Sequence, residues 1–473
     1  MSIITLIFEK CYTIIVKNKN RGVKMNKFST IILAAGEGSR MKSNMPKVVH
    51  KVVGKPMISY VIESAKEAGS ERVVVVTGHK ENEVRKNIQD VLFAHQDKQL
   101  GTGHAVMAAN DYISDEGNVV VLYGDTPLIT SETLKKMVKK HVKSNAGVTV
   151  MSAMVDDPIG YGRIVRKNDS FLKIVEHKDA TGNQVLIKEI NTGVYCFKAK
   201  ELKYALSKLN NYNSQLEYYL TDTLEIILNH GCGIRVMIAD DVNEFYGVNS
   251  RVQLAAAEEM MRKRINDYHM LNGVTIINPS ATYIGKDVII GKDTIVYPNT
   301  TIEGNTFIGE NCIIGSSSDI KNSKLGNNIE IEHSVILDSS IGNGTTVGPF
   351  AYIRPNSNIG ENVKIGDFVE VKNSNIGNNT KASHLTYLGD ADIGSDINIG
   401  CGTITVNYDG KNKNRTIIED NSFVGCNSNL IAPVTIEKNA YIAAGSTITD
   451  NVPTGSLGIA RERQSIKKNW HIR

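Results

Sequence analysis

The sequence predicts two folds in one chain: an α/β domain on a mostly parallel sheet, followed by a parallel β-helix of six-residue repeats. Two patterns carry this. Between Ser29 and about Asn249, buried-strand runs such as STIILAA, ERVVVVTG and GNVVVLYGD alternate with helical segments. Strands separated by helices pair in parallel, with helices covering both faces of the sheet. Further on, Ile284, Ile290, Val296, Ile302, Ile308, Ile314 and Ile320 fall at strict six-residue intervals. A helix repeats its faces every 3.6 residues and a strand every two, so neither sustains that register; a solenoid does. The rhythm returns from Ile341 to Val371 and from Val424 to Ile448, which excludes chance spacing.

The elements follow in order. Residues 1–24 are two short apolar pieces split by Glu9 and Lys10, without a small-residue cleavage site, and read as an extension upstream of a natural start at Met25. The α/β domain is expected over 25–251, with Pro56 to Ala68 (MISYVIESAKEA) as one of its helices. Residues 252–272 are rich in helix formers and read as a linker helix. The hexads and a basic tail with the sole Trp, Trp470, occupy 273–473. Glycines after Ile284, Ile290, Ile308 and Ile314 suit tight corners, and the polar stretch NYDGKNKNRT (407–416) breaks the count and projects as a loop.

The net charge of +4 on 473 residues gives bulk electrostatics no case for nucleic acid or membrane. Six scattered cysteines with no CxxC pair argue against a disulfide framework or a zinc site and for a reducing cytoplasm.

Two strand ends carry chemistry. STIILAA runs into Gly36-Glu37-Gly38-Ser39-Arg40, with Pro46-Lys47 beyond. At the carboxyl edge of an open α/β sheet, such a turn lets backbone N–H groups approach phosphates while Arg40 and Lys47 supply charge. A tight strand–helix turn would use the same glycines, and GK[ST] of a Walker loop is absent. A second strand end places Asp125 at the same edge, as a Mg²⁺ ligand or as the cap of a helix beginning near Ser131.

In the hexad region, Arg354 and Lys372 lie three hexads apart, which places them at equivalent points of adjacent coils, a pair able to hold a sugar phosphate. His384 sits where the count slips: twelve residues beyond Val371 the inward position falls on Ser383, a polar residue.

The ordered series LAAGEGSRM…PK, QLGTGHA, LYGD, YGRI, IVEHKDA, INTGVY and YGVNS resembles the sugar-phosphate nucleotidyltransferases. Joined to a hexapeptide domain, it resembles the bacterial bifunctional N-acetylglucosamine-1-phosphate uridyltransferase/glucosamine-1-phosphate acetyltransferases, from Met25 to the tail. That resemblance implies a Rossmann-like nucleotidyltransferase domain and a left-handed β-helix, against the usual right-handed crossover. It also implies a cytoplasmic homotrimer that uses acetyl-CoA and UTP with Mg²⁺, and supplies UDP-N-acetylglucosamine for the cell envelope. Leu33, Ala34, Ala35 and Gly36 would bind the nucleotide, Arg40 the triphosphate and Lys47 the shared phosphates. Gln96 would read uracil, with Gly101 and Thr102 alongside. Tyr123, Gly124, Gly162, Glu176 and Asn191 would line the sugar site, and Asp125 and Asn249 would hold Mg²⁺.

For acetyl transfer the resemblance assigns Arg354, Lys372, Tyr387 and Asn398 to the amino-sugar phosphate and His384 as base. A neutral imidazole is suited to take the proton that the attacking amine loses. Glu370 is a candidate to orient it. Asn407, Tyr408, Ala444 and Arg461 would meet acetyl-CoA, with Cys401 and Cys426 standing where the pattern has Ala and Ser; buried packing roles are expected for both. Two other readings exist: a monofunctional nucleotidyltransferase with a regulatory or assembly β-helix, and a non-enzymatic scaffold.

Overall fold

A computed structural model of the chain describes residues 27–213, 215–468 and 470–471. The reading of 1–24 lies outside them. The chain forms two compact units that part after Glu258, within the helix Arg251–Leu271.

In the first unit, Phe28–Leu33 (β1) is an interior strand of a sheet. It pairs in parallel with Ser70–Thr77 (β2) on one side and Asn118–Tyr123 (β3) on the other. Successive side chains of a strand point to opposite faces, and two apolar layers follow from this alternation. Ile32 and Ala34 join the layer under helices Met57–Glu67 and Ser131–Ser144, with Ile58, Val61, Leu134 and Met137. Ile31, Leu33 and Ala35 join the opposite layer with Ala105, Val106, Leu202 and Leu224. Glu189–Lys198 runs antiparallel to β3 and to Val148–Met154, so the sheet is mixed at that side. Because β1 and β3 run in register, Leu33 and Tyr123 end side by side. The Gly124 N–H continues the ladder to the Leu33 carbonyl (2.9 Å), which sets both strand ends at one edge.

The second unit is a parallel β-helix. Ile284 pairs with Ile302 and Ile302 with Ile320, so the chain returns to the same face after three hexads. All three are fully buried, as are Ile353, Val371 and Leu388. Burying an isoleucine side chain is worth about 1.5–3 kcal/mol, and stacking repeats it on every coil. Some corners are one residue short. Ile359 pairs with Ile376 and Ile376 with Ile393, which leaves five residues from Val371 to Ile376 and from Leu388 to Ile393. This corrects the expected inward position: it is Ala382, fully buried, and not Ser383. The same corner accommodates the 407–416 insertion, since Ile393 pairs with Ile418 across it. Among the described residues no helix is long and apolar enough to cross a membrane.

Candidate active sites

The first site is built at the β1–β3 edge. After Ala35 the chain turns through Gly38, whose φ of 65° is left-handed. A Cβ there would lie 2.6 Å from the Cβ of Lys47, so glycine is required twice over, for conformation and for space. Met41, buried, anchors the short turn Ser39–Met41 and leaves Arg40 exposed. Lys47 then reaches back over the strand ends. Its Nζ donates to Asp125 and, at 3.0 Å, to Oδ1 of Asn249, which also accepts from Nη2 of Arg40 at 3.0 Å. Asn249 is held by its backbone N–H on Gln253 Oε1 (2.8 Å), and the Val248 N–H donates to the Asp125 carbonyl (2.9 Å). The helix beginning at Ser131 is capped by Thr130, whose hydroxyl accepts from the Thr133 N–H, so the capping alternative for Asp125 fails.

Two cavities meet at this point. One, of about 370 Å³, is lined by Leu33, Ala34, Ala35, Gly36, Gln96, Gly101 and Lys47. The other, of about 570 Å³, is lined by Arg40, Gly162, Glu176 and Asn191. Thr102, Tyr123, Asp125 and Asn249 line both. Gly124 lines neither: a Cβ on it would press on Val48 and Ile58 at 3.2–3.3 Å, so it serves close packing behind the cavities. Glu176 accepts from the Thr221 hydroxyl (3.2 Å), and burial pushes its carboxyl above the ordinary range. The Asn191 amide donates to the Tyr195 hydroxyl (2.7 Å).

The second site lies on the β-helix. Tyr352, Glu370, Tyr387 and Ile404 stack one per coil, and the Arg354 N–H donates to the Val371 carbonyl (2.8 Å), so Arg354 and Lys372 do stand at matching points. Nη1 of Arg354 donates to Glu370 (2.8 Å). The hub is Asp390, whose side chain is 6% exposed. It accepts from Asn373 Nδ2 (2.5 Å) and from Asn407 Nδ2, with Lys372 Nζ at 3.4 Å. Burial pushes its carboxyl up, but these donors outweigh it and hold the group below the usual carboxylate range. Tyr387 folds over Gly389, where a Cβ would lie 2.3 Å from its hydroxyl.

His384 occupies a different corner. The pairing of Asp367 with His384, Ala382 with Ile399, Ile399 with Val424 and Val424 with Ile442 sets a column Asp367–His384–Cys401–Cys426–Ala444 along one edge. Nδ1 of His384 is 2.6 Å from Oδ1 of Asp367. The carboxylate beside His384 is therefore Asp367, whereas Glu370, expected there, is engaged by Arg354.

A nucleotidyl transferase family model matches residues 29–241, and a bacterial transferase hexapeptide model (six repeats) matches 338–373 and 415–450. The bifunctional protein GlmU of Clostridioides difficile (strain 630) is 54% identical over 445 residues, covering 94% of this chain and 97% of that protein. The bifunctional protein GlmU of Acetivibrio thermocellus is 56% identical over 446 residues, with the same coverage. The chain belongs to the bifunctional GlmU family.

As a GlmU-family enzyme it carries a nucleotidyltransferase domain and a hexapeptide transferase domain, as the motif series implied. The geometry gathers most of the residues that the resemblance named, and separates some. Asn398 pairs beside Lys381 on the face before the His384 corner, away from the Arg354–Lys372–Tyr387 patch. Asn407 joins that patch through Asp390, and Tyr408 is exposed with its hydroxyl on the Gly410 carbonyl (2.8 Å). Gly445, beside Ala444, lies near Arg461: a Cβ on it would be 3.8 Å from Arg461 Cδ. The expected burial of the two cysteines is overturned: Cys426 is exposed and Cys401 half-buried, because each lies in the turn that follows its inward residue, where the strand alternation no longer applies. Asp367 and Asp390 were missed. Only coil register could have found them: Asp367 lies seventeen residues before His384, one short coil away.

Proposed function

We propose that the chain acetylates glucosamine 1-phosphate with acetyl-CoA at the β-helix, then couples the product to UTP at the α/β domain, releasing pyrophosphate and giving UDP-N-acetylglucosamine. The observation that carries it is the convergence of Lys47, Arg40, Asp125 and Asn249 where the two cavities meet. Uridylyl transfer joins a sugar phosphate to the α-phosphorus of a triphosphate, so two polyanions must approach in line. Positioning and charge neutralisation supply most of the catalysis. The two cavities give one pocket to the nucleotide and one to the sugar phosphate, and Lys47 and Arg40 stand at their junction to neutralise both phosphates.

Asp125 and Asn249 fit Mg²⁺: they present one carboxylate and one amide oxygen, hard donors that already converge on the Lys47 ammonium cation. When bound, Mg²⁺ would neutralise charge on the phosphates.

At the second site, Asp367 accepts from the Nδ1–H of His384, which leaves Nε2 with its lone pair. That nitrogen takes the proton lost as the amine attacks the thioester carbonyl. Arg354 and Lys372 hold the sugar phosphate, and Tyr387 flanks it. Cys401, Cys426 and Ala444 continue the His384 edge as a track for the coenzyme, with Arg461 near its end for a coenzyme phosphate.

A homotrimer fits the same edge. Phe350, Phe368 and Leu385 are 57–60% exposed, the two phenyl rings stack at 5.5 Å, and all three adopt positive φ beside the Asp367–His384 column. Large apolar side chains in such a row call for cover, and a neighbouring copy would bring its own faces to the separated Asn398 and Tyr408. Sedimentation equilibrium should give three times the chain mass; a monomer would refute this.

The two-site reading is tested with Asp125→Ala. Pyrophosphate release from UTP should disappear while thiol release from acetyl-CoA with glucosamine 1-phosphate persists. Loss of both activities in a folded variant would refute two separate sites.

A further inference from the structure

Gln96 is 3% exposed at the end of the strand Leu92–His95 and lines the smaller cavity. Nε2 lies 3.3 Å from the carbonyl oxygen of Gly101, which can only accept, and 3.0 Å from Nδ1 of His104. The nitrogen end of the amide therefore faces both groups, and both its protons are used. Nδ1 of His104 must then accept, so the imidazole carries its proton on Nε2. Among the described residues, no side chain or backbone group donates to Oε1 of Gln96.

The ring that fixes this amide is itself fixed. His104 sits in the short helix Thr102–Ala108, with its ring 6.1 Å from that of Tyr218. The Tyr218 segment is laced to the start of the helix by Gly103 N–H to Tyr218 carbonyl (2.7 Å) and Tyr218 N–H to Leu100 carbonyl (2.8 Å).

We infer that His104 is a positioning residue that sets the base selectivity of the nucleotide site, by holding the Gln96 amide with its oxygen toward the base. An amide oxygen in that cavity accepts from the N3–H of uracil and opposes cytosine, whose N3 is an acceptor. Were the amide free to rotate, its NH₂ could face the base and match cytosine instead. Tyr218 and the helix act through His104, His104 acts through Gln96, and only Gln96 touches the nucleotide. This inference rests on the uridylyl-transfer reading.

The experiment compares His104→Phe, which keeps a ring but removes the acceptor, with His104→Asn, whose side-chain oxygen stands in for Nδ1. Pyrophosphate release by the full-length enzyme is measured with UTP and with CTP, using N-acetylglucosamine 1-phosphate and Mg²⁺. In His104→Phe the UTP-over-CTP ratio of kcat/KM should fall roughly ten- to hundredfold, the range of one mismatched buried hydrogen bond. The loss should appear mainly in KM for UTP, and His104→Asn should restore most of it. An unchanged ratio in His104→Phe, or an Asn variant as impaired as Phe, overturns the inference. Wild-type enzyme that turns over neither nucleotide overturns the uridylyl reading and this inference with it. Should His104→Phe fail to fold, the tautomer of His104 in the unmutated protein decides by nitrogen-15 NMR. A proton on Nε2 supports the assignment and one on Nδ1 overturns it.

Discussion

Replacing Asp390 by Asn tests whether the β-helix patch is a working site. The Asp390 carboxylate, 6% exposed, takes bonds from the Asn373 and Asn407 amides and faces the Lys372 ammonium at 3.4 Å. An asparagine of the same shape offers one oxygen, so its NH₂ must meet at least one of these donors head on. Hydrogen bonds to charged groups are worth about 1.5–3 kcal/mol each. Losing one to two of them, with local relaxation, comes to about 3 kcal/mol. With the NH₂ in the place of Oδ2, which serves both, Asn407 at the loop root and Lys372 lose their fixed positions, and 3 kcal/mol corresponds to about a hundredfold in rate constant ratio. Thiol release from acetyl-CoA in Asp390→Asn should therefore fall about a hundredfold in kcat/KM for glucosamine 1-phosphate. Pyrophosphate release from UTP should stay at the wild-type value. Acetyl transfer within threefold of wild type in a folded variant would refute the role given to Asp390. So would an equal fall in both activities.

Three further outcomes are expected. His384→Ala should lose acetyl transfer by a factor of about 10² to 10⁴, the usual range for a general base. Asp367→Asn should lose it by a smaller factor, with uridylyl transfer intact in both; near-normal thiol release by His384→Ala removes the residue from the mechanism. The α/β unit should also be acid-sensitive through His141, which is 1% exposed, within 2.9 Å of the Thr149 hydroxyl, and held down to about 4 by burial and then by Lys198. Its folded value lies below the ordinary 6.5, so its contribution is full above pH 6.5 and is lost as pH falls toward 4. Between pH 7 and 4.5 the loss is about 2–3 kcal/mol. Denaturant unfolding of wild type and His141→Asn at both pH values checks this, and equal pH dependence in the two would refute it.

Much of this was legible in the residues alone. The hexad spacing determined a β-helix because one buried isoleucine per face repeats at a period no helix or single strand shares. The strand ends at Gly36 and Asp125 determined the site edge, because parallel strands bring their carboxyl ends together. Residue types also revealed that phosphate chemistry was to be expected at Arg40, Lys47, Arg354 and Lys372.

Other features depend on register, which spacing in the sequence left one residue out. The five-residue corner between Val371 and Ile376 moves the inward position to Ala382. His384 is thereby set over Asp367, and Cys401 and Cys426 turn outward. Arg354 takes Glu370 as its partner and so frees His384 from it, while Asp390 gathers Asn373 and Asn407, which are seventeen residues away on either side. A side chain meets its neighbours one coil away, and a single missing residue at a corner changes which neighbours those are; only the folded coil decides that.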